Sequence, residues 1–303
     1  MNTEFYQKII EQDDFKSVSI LQGISATDAD FINLESLLGR ISFNEEFSDV
    51  CYEVNGEIAK LSLGYLGQDY NFDIGIDQPA ISEMFTLSHN LSQTEMKRLQ
   101  NAGFGLTVRM IFGKNNLSSF HLQVKLIYNI LPNIAGIVDY CSYSILSGRL
   151  VKLAANSLVL PSPTYLYRTH AVNDNDDVWM HTHGLNRCGG IELEIIGATT
   201  KNDGYQAIAP IIDNLATMTI QEGTTTAPRE PIFIGDGIVV TWLKWEEAID
   251  EMNNLGCSDE DRKGHDLPSG VLYLYKSEED YKKGVLTHLN EAVIQLQENP
   301  YFI

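Results

Sequence analysis

The chain has 303 residues, with 41 Asp and Glu against 21 Lys and Arg, for a formal net charge of −20. That balance excludes a protein built to grip nucleic-acid phosphates, which needs a basic face, and it suits a basic protein partner instead. With 44% hydrophobic residues the chain can bury a substantial core, which excludes a disordered acidic tail.

The length fits about two domains. Cys51, Cys141, Cys188 and Cys257 stand far apart with no CxxC pair. No disulfide framework or zinc ribbon follows, and a reducing, cytoplasmic compartment is expected. The first residues lack a basic stretch followed by an apolar core. No apolar run reaches the ~18 residues of a membrane span, so no membrane partner is expected.

In chain order, residues 17–21 read as a short strand. Thr27, with Asp30 at the third position, caps a helix whose apolar stripe is Phe31, Leu34, Leu37, Leu38 and Ile41. Strands follow at 50–54, 58–66 and 70–76, and Asn55-Gly56 between the first two is a hairpin signal. Ser92 and Glu95 form a capping box. A strand at 105–112, a helix at 118–131 stopped by Pro132, and a buried strand at 135–140 predict a β-α-β unit with parallel pairing.

Pro161-Ser-Pro163 interrupts both periodicities and marks a boundary between a lobe at 1–160 and one at 161–303. Strands at 165–172 and around the histidines lead to a helix at 203–218, in which Pro210 marks either a kink or the true start. Gly235-Asp-Gly237 predicts another hairpin, 245–255 a helix ended by Gly256, and 270–275 a strand. Ser277 with Asp280 opens a closing helix. The expected fold is α+β: two α/β lobes with mixed, largely antiparallel sheets flanked by helices.

Reactive side chains crowd most densely in one stretch, Val178-Trp-Met-His-Thr-His-Gly-Leu-Asn-Arg-Cys-Gly-Gly-Ile-Glu-Leu-Glu-Ile196. Strand alternation puts His181 and His183 on one face and Met180 and Thr182 on the other. Gly184 to Gly190 supplies turn chemistry, and Ile191, Leu193 and Ile195 alternate with Glu192 and Glu194 in a returning strand. A hairpin pairing His181 with Glu194 sets the histidines and glutamates on one face. A slip of one residue sets the histidines beside Ile191 and Leu193 instead.

Two histidines at i and i+2 on a strand supply two ligands to zinc or another divalent metal, and a carboxylate from the next strand completes a facial triad. On that reading His181, His183 and Glu194 are the metal ligands and Glu192 is a base. The plainer reading makes the histidines hydrogen-bonded residues shaping a turn beside Trp179. His170, one strand earlier, reaches the same surface if the two strands are neighbours, and taken alone reads as structural. Cys188 reads as an inert thiol, and Asn186 and Arg187 as a solvated loop. His265-Asp266 reads as a solvated pair, and Trp242 and Trp245 as core and cap contacts. The sequence has no Gly-rich phosphate loop, GxSxG elbow or EF-hand spacing.

His181-Thr-His183-Gly184 followed by Glu194 resembles the zinc motif of JAMM/MPN metallopeptidases, His-Ser/Thr-His-Pro with a later Ser-x-x-Asp. Here Gly184 replaces the proline, Ile191 the serine and Glu194 the aspartate. A broader resemblance is to an uncharacterised bacterial family of unknown function. It is carried by Trp179-Met-His-Thr-His-Gly-Leu-Asn-Arg-Cys188, Glu192-Leu-Glu194 and Leu131-Pro-Asn-Ile-Ala-Gly-Ile-Val-Asp139. That resemblance implies a soluble bacterial protein and supplies no activity. Two functions are therefore in view. One is an accessory or interaction protein, of the acidic immunity type, acting on a basic partner through its acidic surface. The other is a metal-dependent hydrolase.

Overall fold

The computed structural model describes residues 16–31, 33–82, 85, 91–174, 177–199, 204–223, 225–234, 238–244, 247–248, 269–275 and 277–283. The chain divides into two compact units, one of Lys16–Arg168 and one running on from Thr169. Each has its own sheet, and the fold is α+β with mostly antiparallel pairing.

The first unit holds β1 (Ser19–Ser25), β2 (Ser48–Asn55), β3 (Ile58–Tyr65), β4 (Gln68–Asp77), β5 (Gly105–Met110), β6 (Ile134–Asp139) and β7 (Ser144–Ser147). Their order in the sheet is β2-β3-β4-β5-β1-β6-β7, and every pairing is antiparallel. Hairpins account for the outer strands. In the turn joining β3 to β4, Leu66 (φ 49) and Gly67 (φ 75) both have positive φ. Such a turn matches the natural twist of paired strands.

The expected parallel β-α-β pairing is corrected by β1. It lies between β5 and β6, antiparallel to both, so those two run parallel but one strand apart. The reason is burial. β1 is buried at all but one of its positions, which suits a central strand rather than an edge. The helix joining β5 to β6, α3 (Asn116–Ile130), lies against β1, and a Cβ placed on Gly23 would run into Ile127 Cγ2.

Residues 27–41 do not form the single expected helix. Thr27 caps only the 3-10 turn Asp28–Asp30, Asn33 accepts from Ser36 N (3.1 Å) to start α1 (Leu34–Leu38), and a second 3-10 turn follows. Each Asx or Thr side chain satisfies its own orphan amides, which breaks the run into short pieces. The capping box at Ser92 and Glu95 opens α2 (Gln93–Gln100) as expected.

Helix α3 is buried well beyond its apolar stripe, with His121, Gln123 and Lys125 all inside. These polar side chains have fixed partners. Gln123 Nε2 donates to Val108 O (2.8 Å), His121 Nε2 donates to Ala154 O (2.8 Å), and Lys125 Nζ donates to Ala155 O (2.8 Å) and Glu46. The bonds to Ala154 O and Ala155 O satisfy end carbonyls of α4 (Gly148–Ala155), which a buried helix terminus requires.

The second unit holds β8 (Arg168–Asp174), β9 (Asp177–His183), β10 (Glu192–Thr199), β11 (Ile232–Ile234), β12 (Ile238–Lys244) and β13 (Ser269–Tyr275). They are ordered β11-β12-β13-β10-β9-β8, with β10 and β13 parallel. Helix α5 (Gly204–Glu222) carries Pro210 inside it and packs on β10. Trp242 is buried, and its Nε1 donates to Thr226 O (2.9 Å). Ser277 caps the short α6 (Glu278–Lys283) through Asp280 N (3.1 Å).

The turn 235–237, Trp245, Gly256, Cys257, the charged loop with His265 and Asp266, and the chain after Lys283 lie outside the described residues. Among the described residues no helix is long and apolar enough to cross a membrane.

The contact of α3 on β1 yields a prediction. Gly23→Ala overpacks a stiff β-branched neighbour, so it should lower unfolding stability by about 1–3 kcal/mol. A urea midpoint equal to the parent's would show that the helix does not press on the strand there.

Candidate metal centre

On β9, Val178 and Met180 are buried on one face, while Trp179, His181 and His183 share the other. The register with β10 sets His181 opposite Glu194 and Met180 opposite Ile195. This is the pairing that places the histidines on the glutamate face. Beyond it a side chain replaces the ladder, with Leu193 N donating to Thr182 Oγ1 (2.8 Å).

The side chain brought to the histidine pair is His170 of β8, where the sequence reading placed Glu194. One ligand atom from each of His170, His181 and His183 lies within 4.8 Å of the other two. The ring centroids are 5.6 Å apart for His170 and His181, 4.8 Å for His170 and His183, and 4.9 Å for His181 and His183. The rings meet edge to face, so their nitrogens converge rather than stack. His181 and His183 are only 5% and 6% exposed, and His170 is half-buried.

Three nitrogens ~2.0–2.1 Å from a tetrahedral zinc stand about 3.3 Å apart, against the 4.8 Å within which the three ligand atoms lie here. An all-imidazole donor set is borderline-soft and suits zinc, copper, iron or nickel better than magnesium or calcium.

Glu194 is buried beside this group. Its Oε2 accepts from Trp179 Nε1 (3.0 Å), and the Trp179 ring lies 4.3 Å from His181, tilted by 39°. Trp179 therefore holds both the carboxylate and one imidazole. An orienting contact of this kind is what the surroundings of a metal-binding histidine commonly supply.

Glu192 has a different setting. Its Oε1 accepts from Gly184 N (2.9 Å), Asn186 N (3.2 Å) and Asn186 Nδ2 (3.0 Å), and its Oε2 accepts from Thr182 Oγ1 (2.9 Å). It ties the loop after β9 to the start of β10. Burial pushes its carboxyl up from 4.5 to about 7, while hydrogen bonds from Thr182 and the amides of Asn186, Gly184 and Leu185 pull the other way.

That loop is not the solvated one expected from the sequence. Every residue from 184 to 190 is buried, with Arg187 at 0% exposure and Cys188 inside beside it. The covering comes from α5 and the residues after it. A Cβ on Gly190 would strike Thr219, and Thr225 Oγ1 accepts from Ile191 N (3.2 Å). The sequence shows the loop's turn residues but not what lies over them. Gly184 (φ 113) and Gly189 (φ 91) adopt left-handed backbone that other residues rarely take. Proline, locked near −65°, could not occupy position 184 in this conformation.

The sequence allows His170 onto this surface on condition that its strand neighbours β9, and the sheet order meets that condition. His170 lies four residues before the end of β8, as His181 lies four after the start of β9, so the two stand at matching distances from the turn.

Two family matches cover most of the chain. The N-terminal part of the family described as protein of unknown function (DUF4026) matches residues 19–161, and its C-terminal part matches residues 169–273. The chain belongs to the DUF4026 family. No curated protein and no solved structure matches it. In this DUF4026 chain the histidine cluster falls wholly within the span of the C-terminal match.

The raised Glu192 carboxyl fixes a pH dependence. Between about 4.5 and about 7 the folded protein holds a proton that the unfolded chain has released. Stability therefore falls as pH rises through that window, by up to on the order of 3 kcal/mol. Glu192→Gln keeps the oxygen that accepts from the loop amides and reverses the bond to Thr182, whose hydroxyl would then accept from the new amide, so it should fold and lose that dependence. Urea unfolding at pH 5 and pH 8 checks this, and an unchanged slope in the variant would assign the effect to another group.

Proposed function

We propose that the C-terminal unit binds a divalent transition metal, zinc foremost, through His170, His181 and His183. The observation that carries this reading is the convergence of three imidazoles within 4.8 Å on one buried face. Three protein ligands are the usual number at a catalytic zinc, where the fourth position takes water and lowers its pKa towards ~7. On this reading the chain is a metal-dependent hydrolase. Glu194, held by Trp179 and paired across the strands with His181, is the carboxylate that accepts the proton. Glu192 positions the loop that follows His183.

The charge of −20 favours a second reading, an accessory protein of the immunity type that meets a basic partner through its acidic surface. The two readings are compatible, because they use different parts of the chain.

Metal analysis of protein purified without a tag or chelator tests the first reading. Near-stoichiometric zinc, or saturation after zinc addition and dialysis, is expected in the parent. It should be lost in His170→Gln, whose half-buried site makes unfolding improbable, and in His181→Ala/His183→Ala. Trp179→Phe keeps the ring but removes the bond to Glu194, and should weaken zinc roughly 10-fold to 100-fold. A parent that retains no metal after zinc loading, while its circular dichroism is native, would falsify the metal centre.

A further inference from the structure

The first unit carries a cleft of about 510 Å³ between α1 and the end of the β2–β3 hairpin. Phe31, Tyr52 and Phe104 supply aromatic walls, and Glu35 and Glu57 stand among its lining residues. Among the described residues no Lys, Arg or His lines it. The volume is that of a small-ligand site. The rings of Phe31 and Phe104 have centroids 6.3 Å apart and are inclined at 47°, so they open as a wedge rather than closing as a stack.

An acidic rim alone would be ordinary solvated surface. Here the carboxylates border a concave site walled by exposed or half-buried rings, and Phe104 leaves 46% of its surface open. An aromatic face attracts a cation within ~6 Å of its centroid, and carboxylates supply the charge-assisted hydrogen bonds that a guanidinium or ammonium needs. A neutral apolar ligand would leave Glu35 and Glu57 unused, and an anion would meet only repulsion.

We propose that this cleft binds a guanidinium or alkylammonium group, of the kind carried by the Arg and Lys side chains of a basic protein. The proposal rests on the basic-partner reading and gives that partner a docking point. It is independent of the histidine centre. Arginine fits better than lysine, because its planar group can lie against a ring while pairing with a carboxylate.

Isothermal titration at two salt concentrations, with N-acetyl-arginine amide and with tetra-arginine, tests it. The variants are Glu35→Gln/Glu57→Gln, Phe104→Ala and a charge-matched control, Glu278→Gln/Glu279→Gln, on α6 of the second unit. Thermal melts confirm folding. Saturable binding is expected, weakened roughly tenfold by the cleft glutamines and several-fold by Phe104→Ala, and unchanged by the control. Binding of the single arginine marks a site for one isolated cation, whereas binding of the peptide alone marks docking of a basic segment. Either upholds the chemistry. Peptide binding weakened equally by the cleft and control variants overturns the cleft but leaves a diffuse acidic surface for a basic partner. No binding of either probe at low salt overturns both.

Discussion

The pairing of His181 with Glu194 is the constraint on which the second unit depends. Strand side chains alternate with a period of two, so this one register decides which residues face the histidines and which the core. It sends Met180 and Ile195 into the interior and sets Trp179, His181 and His183 on a face that also receives Glu194 and His170. A shift of one residue would bury imidazoles among Ile191 and Leu193 and expose the methionine. The core therefore enforces the arrangement of the cluster, whatever the cluster binds.

The loop after His183 adds a second constraint. Positive φ at Gly184 turns the chain immediately, and positive φ at Gly189 turns it back. Between them Glu192 accepts from the amides of Gly184 and Asn186, which have no strand partner at that point. Buried amides need acceptors, and here one carboxylate replaces a stretch of ladder. Desolvation raises its ionisation towards neutrality, and four donors oppose that rise. Glu192 and Glu194 are two residues apart yet differ in role: one organises backbone, while the other is gripped by an indole beside an imidazole.

What could be read from the sequence was local. The Ser92 capping box, the hairpins at Gly56 and Gly67, and the His-Thr-His strand with its returning partner all follow from spacings of a few residues. Strand order did not follow, because β1 enters between β5 and β6 from more than a hundred residues away in sequence from β6. The burial of the loop that holds Arg187 was hidden for the same reason, since Thr219 of α5 and Thr225 close on its end at Gly190 and Ile191 from later in the chain. The helical period of α3 does not show that His121 and Lys125 are turned inward, because the carbonyls that hold them lie at the end of α4, some thirty residues on. His170 lay within reach of counting outward from the turn.

The two units pose a problem of discrimination that their chemistry resolves. A net charge of −20 draws in cations of every kind, and salt screens that attraction over about 8–10 Å. Attraction of this sort raises encounter rates without choosing among calcium, magnesium, zinc and a guanidinium. Choice requires donors that differ in softness and shape. Exposed carboxylates suit hard ions and hold them weakly. Three converging imidazoles on a buried face disfavour those ions and suit a transition metal, while aromatic rings beside carboxylates suit a flat organic cation over any bare ion. On the two proposed readings the acidic charge collects cations without choosing among them, and selection falls to two small sites of opposite character. One is buried and built of nitrogen; the other is open and built of rings and oxygen.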